Sequence, residues 1–333
     1  MLTKSLILAC LGVTLGALGG FTAEAAHAEP SKVVIGAYIH DIQNMDLKAH
    51  NYVVDFYLWF RWRDPKINPA NTFELMNPSE AAWGHLISKA YENPITLSSG
   101  EFYNAVRLQG RFSNKFNLRN YPFDRQALTI EIEDKDSEAS DILYVADAED
   151  EIKMNPTVTF PGFELGAPKL SVRTQSHPTA FGGDPRAQIK QSEYTRAKIE
   201  IPIRRPILTY LLKLVLPILC VVFCAGLIFF FDPSYVDSRV GIGITSLLTI
   251  VALQITTSND LPEIEYLILM DKIYLLSYVF VVSTLGIVVH DSWAYMTNAH
   301  NVKKIIRTDR RSAFVLVFVY LVTLGLLLFN AFR

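Results

Sequence analysis

The chain has 333 residues, half of them hydrophobic and 19% charged, with a formal net charge of −2. A composition this apolar and this close to neutral excludes a disordered chain and a basic nucleic-acid binder. Its three cysteines, Cys10, Cys220 and Cys224, all fall in apolar runs, so the long segment between them offers neither a disulfide nor a thiolate metal site.

Residues 1–28 read as a secretory signal: Lys4, an apolar run from Leu6 to Leu18, and Ala26-His27-Ala28 before Glu29. An amino-terminal membrane anchor is the alternative. An exported domain that builds its core without disulfides suits a bacterial periplasm better than an animal cell surface.

From Glu29 to Arg205 short alternating runs are punctuated by Pro, Gly, Asn and Asp, the pattern of a sandwich rather than of βαβ units. Lys32–Asp41 is a first strand. In Tyr52–Arg63, Val54, Phe56, Leu58, Phe60 and Trp62 alternate with Asp55, Tyr57, Trp59, Arg61 and Arg63, predicting a core face and an exposed aromatic and cationic ladder. That ladder is either a solvated face or a subunit interface. A short helix is expected around Trp83. Further strands are expected at Glu101–Phe112, Ala127–Glu133, Leu143–Ala146, Leu170–Thr174 and Tyr194–Ile203. Gln175–Gln191, with Phe181, Arg186 and Lys190, reads as a long hairpin tip, either a binding loop or a disordered one.

Glu131, Glu133, Asp134, Asp136 and Glu138 lack the spacing of a calcium loop and are expected to form a solvated acidic strand end. No Gly-x-Ser-x-Gly, Walker or His-Glu-x-x-His motif is present, so neither catalytic residues nor a cofactor are expected and the chain reads as a non-enzyme.

Four apolar stretches follow, Ile207–Phe231, Val236–Ser258, Tyr266–Val289 and Ser312–Phe332, each long enough to cross a bilayer. The linker from His290 to Arg311 carries Lys303, Lys304, Arg307, Arg310 and Arg311 and should be cytoplasmic. With the first domain exported, the order out, in, out, in, out agrees with that assignment.

Val240–Asn259 contains 20 residues without a charge, yet is speckled with Thr, Ser, Gln and Gly. Gly241, Thr245, Leu248, Ala252, Ile255 and Asn259 cover 18 residues in five steps, 3.6 per step, hence one helical stripe. Alone, such a stripe fits helix packing as well as the wall of a pore. Asp237 at one end and the apolar Leu248 and Ile255 between favour a pore, because carboxylate rings select cations and apolar rings gate by dewetting. Leu248 and Ile255 both remain candidates for the gate.

Four motifs occur in order: Trp62-Arg63-Asp64, Tyr121-Pro122-Phe123-Asp124-Arg125-Gln126, Arg204-Arg205-Pro206 and Leu261-Pro262. With the signal, sandwich and four spans, they resemble the pentameric ligand-gated ion channels, the Cys-loop receptor superfamily, and most closely its bacterial members. As in those, the paired cysteines flanking the Tyr-Pro-Phe-Asp turn are absent. Trp83-Gly84-His85-Leu86 departs from the family's Trp-x-Pro-Asp.

The resemblance implies an immunoglobulin-like extracellular sandwich of about ten strands at 29–205 and an all-α four-helix pore domain at 206–333. It implies a homo-pentamer in a bacterial inner membrane, in contact with lipids, that passes inorganic ions and opens to a small-molecule or ionic agonist. Phe181 and Tyr194 of one subunit, with Glu133 nearby, would face Tyr57 and Trp59 of the next, a cage suited to an organic cation. Lys135, Arg61, Arg63, Arg107 and Arg186 also admit an anion, and protons or divalent ions stay open as agonists. Asp124 should pair with Arg205 while the Asn44–Lys48 turn presses on Leu261–Tyr266, with Pro262 in that linker, either to couple gating or only to stabilise the junction. Asp237, Gly241, Thr245, Leu248, Ala252, Ile255 and Asn259 would line the pore, with cation preference set by Asp237. The runner-up is a non-conducting periplasmic receptor that signals across the membrane.

Overall fold

A computed structural model describes residues 29–79, 88–179, 181–182, 192–297 and 302–332. The expected signal, the helix around Trp83 and most of the Gln175–Gln191 tip, with Arg186 and Lys190, lie outside the described residues.

Two sheets make the amino-terminal half. Strands β1 (Ser31–Asp46), β2 (Asn51–Trp62), β4 (Ser88–Lys89), β6 (Phe102–Ser113) and β8 (Ile142–Ala146) run in the order β4-β6-β2-β1-β8, with β5 (Ile95–Thr96) on β6 and β9 (Lys153–Met154) on β1. The second sheet runs β10 (Glu164–Leu165), β12 (Ser192–Arg204), β7 (Arg125–Asp134), β3 (Phe73–Leu75), with β11 (Lys169–His177) also on β12. A single-turn helix α1 (Pro69–Thr72) precedes β3.

The alternation in β2 predicts its core face correctly: Val54, Phe56, Leu58, Phe60 and Trp62 are all at most 2% exposed. Tyr52 ties the sheets together by donating from its hydroxyl to the Thr129 carbonyl. The opposite face is not the exposed ladder that alternation suggests. Because β2 lies mid-sheet between β6 and β1, Tyr57, Trp59 and Arg61 are half-buried under their neighbours' side chains and Asp55 is buried, while Arg63, just past the strand, stays exposed. Trp59 lies on Gly36, where a Cβ would collide with the indole. The acidic strand end needs the same correction. Glu133 and Asp134 are buried, because β3 pairs with β7 there and Thr72 donates to Asp134.

Four helices follow, each long and apolar enough to cross a membrane: α2 (Ile207–Phe230), α3 (Val236–Asn259), α4 (Leu269–Thr297) and α5 (Val302–Phe332). In α2 a π turn at Leu211–Val215 immediately precedes Pro217, absorbing the hydrogen bond that proline cannot donate. The helices are joined by buried polar contacts of the kind that hold helices together where solvent is apolar. Thr257 of α3 and Tyr274 of α4 share a 2.7 Å hydrogen bond, the Tyr278 hydroxyl donates to Gln254 Oε1 at 2.5 Å, and Ser277 of α4 shares one with Tyr320 of α5 at 3.0 Å. Gly243 lets Leu285 approach the α3 backbone where a Cβ would collide. The basic linker is largely an extension of α4 and α5.

Candidate functional site

Three groups of side chains matter: a helix stripe, a junction and a pair of aromatic clusters. On α3, Asp237, Gly241, Thr245, Leu248, Ala252, Ile255 and Asn259 are all exposed, while Arg239, Gly243, Ser246, Ile250 and Thr257 are buried against the other helices. Leu248 and Ile255 are 63% and 57% exposed, protruding from that open side. Arg239, only two residues from Asp237, points the other way and donates to Asp309 of α5 at 2.9 Å. Asp291 of α4 is buried as well, with His290 at 3.2 Å from its carboxylate. An acid placed among the cations of the basic linker was the only sequence signal for Asp309, and sequence reasoning passed it over.

At the junction, Arg205 Nε lies 3.4 Å from Asp124 Oδ1, with both side chains buried. Register explains the proximity, since Arg204 pairs with Arg125 across β12 and β7 and each partner of the ion pair is the next residue outward. The Arg205 guanidinium also sits 4.9 Å from the Tyr121 ring centre, 4.5 Å from Phe163 and 5.0 Å from Tyr210, and donates to the Tyr210 hydroxyl. Phe163 and Tyr210 were not anticipated. Pro262 is buried just after α3. The linker that follows it reaches the turn before β7: the Tyr266 hydroxyl accepts from the Leu118 amide at 3.0 Å, and the Leu269 amide donates to the Arg119 carbonyl at 2.9 Å. The Arg119 guanidinium also lies 4.9 Å over the Tyr266 ring. The far end of α5 docks on the same turn, Phe332 against Phe123 at 4.9 Å.

On the second sheet, His177 lies between Phe181 and Tyr194, at 6.1 and 5.7 Å between ring centres. Phe181 takes a left-handed backbone, φ 42°, and is 56% exposed. Glu133 is not a free carboxylate. One position beyond the Ala197–Ile132 register pair, Arg196 reaches Glu133 at 2.6 Å and Glu131 at 2.7 Å, and His177 Nε2 is 3.4 Å from Glu133. Arg196 is the functional candidate that sequence reasoning missed; alternation along β12 puts it on the side of Tyr194.

Tyr57 and Trp59 lie on the first sheet, so one chain does not bring them together with the His177 cluster. Arg107 covers the Tyr57 ring at 5.3 Å and is itself bound to Asp55 at 2.7 Å. The Trp59 indole donates to Asp147 at 3.0 Å, and Arg61 pairs with Asp147 at 2.8 Å and Glu149 at 2.9 Å. The cations considered for an anionic ligand are therefore engaged at Arg61 and Arg107, and Arg63 lies 3.5 Å from Glu101. Burial works against ionisation of Asp147, but the Trp59 indole, the Asp150 and Glu149 amides and Arg61 together outweigh it and hold the carboxyl below its ordinary value. Asp134 shows the reverse balance: burial pushes it up, and the bonds from Thr72 and the Asp136 amide offset only part. Among the described residues no group of three or more His, Cys, Asp or Glu is arranged to hold a metal ion.

The chain is similar to a gamma-aminobutyric acid receptor subunit beta of Caenorhabditis elegans, 26% identical over 187 residues, 56% of this chain and 32% of that protein. It therefore spans about a third of the length of that curated relative. No protein-family profile matches the chain.

Proposed function

We propose that this chain is a subunit of a ligand-gated ion channel of the pentameric receptor superfamily, with an exported ligand-binding sandwich at 29–205 and a pore domain at 206–333. The arrangement of α3 carries the reading: its polar-speckled stripe is left exposed while α2 and α4 pack against the helix and α5 reaches it through Asp309. A single helix cannot enclose a path, so five copies around an axis, each presenting that stripe, complete it. Similarity to a receptor subunit supports the same class. The most economical setting is a bacterial plasma membrane, with residues 1–28 removed as a signal.

Cation preference follows from Asp237, exposed at one end of the stripe, while the neighbouring Arg239 is neutralised by Asp309 and withdrawn from it. The agonist is a small molecule held between subunits, with His177, Phe181 and Tyr194 on one side and Tyr57 and Trp59 on the other. Since Glu133 is already paired with Arg196 and His177, ring faces rather than a free carboxylate supply the recognition.

Purified full-length protein in planar bilayers, recorded in a salt gradient with a panel of amines, amino acids, acids and divalent ions, tests this. Agonist-dependent current reversing towards the cation potential, and weakened selectivity in Asp237→Ala, are expected. Reversal towards the anion potential in the wild type overturns the selectivity assignment; ligand binding without current overturns the channel in favour of a non-conducting receptor.

A further inference from the structure

The two thiols of α2 take no part in the stripe, the junction or the aromatic clusters. Cys220 and Cys224 are both free and both exposed, on a stretch of helix whose buried residues are Ile218, Val222 and Ala225. Four residues apart on an α-helix, their side chains lie one above the other on a single face. That face borders α3: Cys220, Cys224, Gly241, Thr245, Ser246 and Thr249 line one groove of about 570 Å³. Gly241 adds no bulk to it, and even a Cβ there would meet nothing within 4 Å.

Spacing decides what the two thiols can do. Neighbours one turn apart hold their Cβ atoms about 5–6 Å from each other, whereas a disulfide spans about 3.5–4.5 Å. The pair therefore stays a dithiol while Leu216–Gly226 is helical. A linear sulfur–metal–sulfur unit with two bonds of about 2.3 Å sets its sulfurs about 4.6 Å apart. Two side chains leaning towards each other from that Cβ spacing reach it without moving the backbone.

Ligand type and charge then narrow the ion. Among the described residues no third His, Cys, Asp or Glu joins the pair, so an ion that wants four ligands, such as Zn²⁺, finds no complete shell. Sulfur ligands favour soft ions of the Cu⁺ kind. The Thr249 hydroxyl is already spent on the Thr245 carbonyl at 2.8 Å. Uncompensated charge is costly within a membrane, and a univalent ion held by one thiolate and one thiol leaves none.

We propose that Cys220 and Cys224 form a two-coordinate site for a soft univalent cation, Cu⁺ or its redox-stable counterpart Ag⁺, in the groove between α2 and α3. One thiol loses its proton to water as its metal–sulfur bond forms, and the other binds through a sulfur lone pair. No oxidation state changes. The bound ion lies beside Gly241 and Thr245 of the exposed stripe, yet the site needs only α2 and α3 and not conduction.

Assembled full-length protein in a C10S background, reduced, desalted and titrated with silver nitrate in chloride-free buffer, tests the proposal by native mass spectrometry. That protein should take one Ag⁺ per chain. Adding C220S or C224S should weaken binding by about 10²–10⁴-fold, the loss expected when the second ligand is no longer supplied within the same chain, and C220S/C224S should take none. Because the two single variants report the same loss from different positions, a folding defect in either does not decide the matter. C220S/F223C keeps two thiols, since Phe223 is also exposed, but sets them about 100° apart, and should bind no better than the single variants. Equal affinity in the pair and the single variants, two independent Ag⁺ ions per chain, a disulfide in the intact mass before reduction, or Zn²⁺ held as tightly as Ag⁺ overturns the assignment. A chain that binds Ag⁺ in the expected pattern but passes no current overturns the channel and leaves this site standing.

Discussion

Arg239 of α3 and Asp309 of α5 are paired at 2.9 Å with side chains 0% and 1% exposed, a charge pair sealed between two helices directly behind the exposed Asp237. Removing one partner leaves the other buried and uncompensated. Asp309→Asn and Arg239→Gln should each cost about 3–5 kcal/mol, whereas a well-packed apolar replacement of both, Arg239→Met with Asp309→Leu, should recover most of that loss. Thermal unfolding of the detergent-solubilised protein measures it; a double variant as unstable as the singles would show that the pair is not mutual.

Gly36 and Trp59 give a second test. A methyl at Gly36 must displace the indole and break its bond to Asp147. Gly36→Ala should destabilise the sandwich by about 1–3 kcal/mol and move the agonist concentration for half-maximal current upwards. Reversal potential should not change, and a changed one would mean that the two regions are not separate.

Asp124 and Arg205 address coupling. If their contact biases opening, Asp124→Asn and Arg205→Gln should each shift the agonist response, and the double variant should depart from the sum by about 0.5–3 kcal/mol. Additive shifts would reduce the pair to a structural brace.

Acid titration separates Asp147 from Asp134. Asp147 sits below its ordinary value, so its ionised form stabilises the fold above about pH 4 and that contribution disappears as pH falls through its lower folded pKa. The wild type should therefore melt above Asp147→Asn at neutral pH, with the gap closing in acid. Asp134 is raised by burial, so its ionisation opposes folding above its folded pKa and ceases to do so below its unfolded one. Any advantage of Asp134→Asn should shrink in the same direction. Melting curves of the three proteins between pH 3 and 8 check both signs.

Much of the architecture was legible because periodicity reports directly on packing. The period-2 alternation in Tyr52–Arg63 found the core face of β2, and the 3.6-residue stripe from Gly241 to Asn259 found the uncovered face of α3. Periodicity does not say what covers the other side of a strand. That depends on which strand lies next to it, and so Trp59 on Gly36, Arg107 over Tyr57 and Arg196 against Glu133 had to come from the register. Likewise Asp124 and Arg205 were paired from motifs, but the rings of Tyr121, Phe163 and Tyr210 around the arginine are far apart in sequence and carried no pattern.

Those three rings have a mechanical meaning. They come from the turn before β7, the segment before β10 and the first turn of α2, so one guanidinium touches both halves of the molecule. Attraction between a cation and a ring face is broad in angle but falls off with separation. The guanidinium, with Tyr121 and Phe163 on its sandwich side, therefore acts as a socket for the start of the first membrane helix: pulling that helix away must break the Tyr210 face and the 2.9 Å bond to its hydroxyl, while the other two faces stay with the strand.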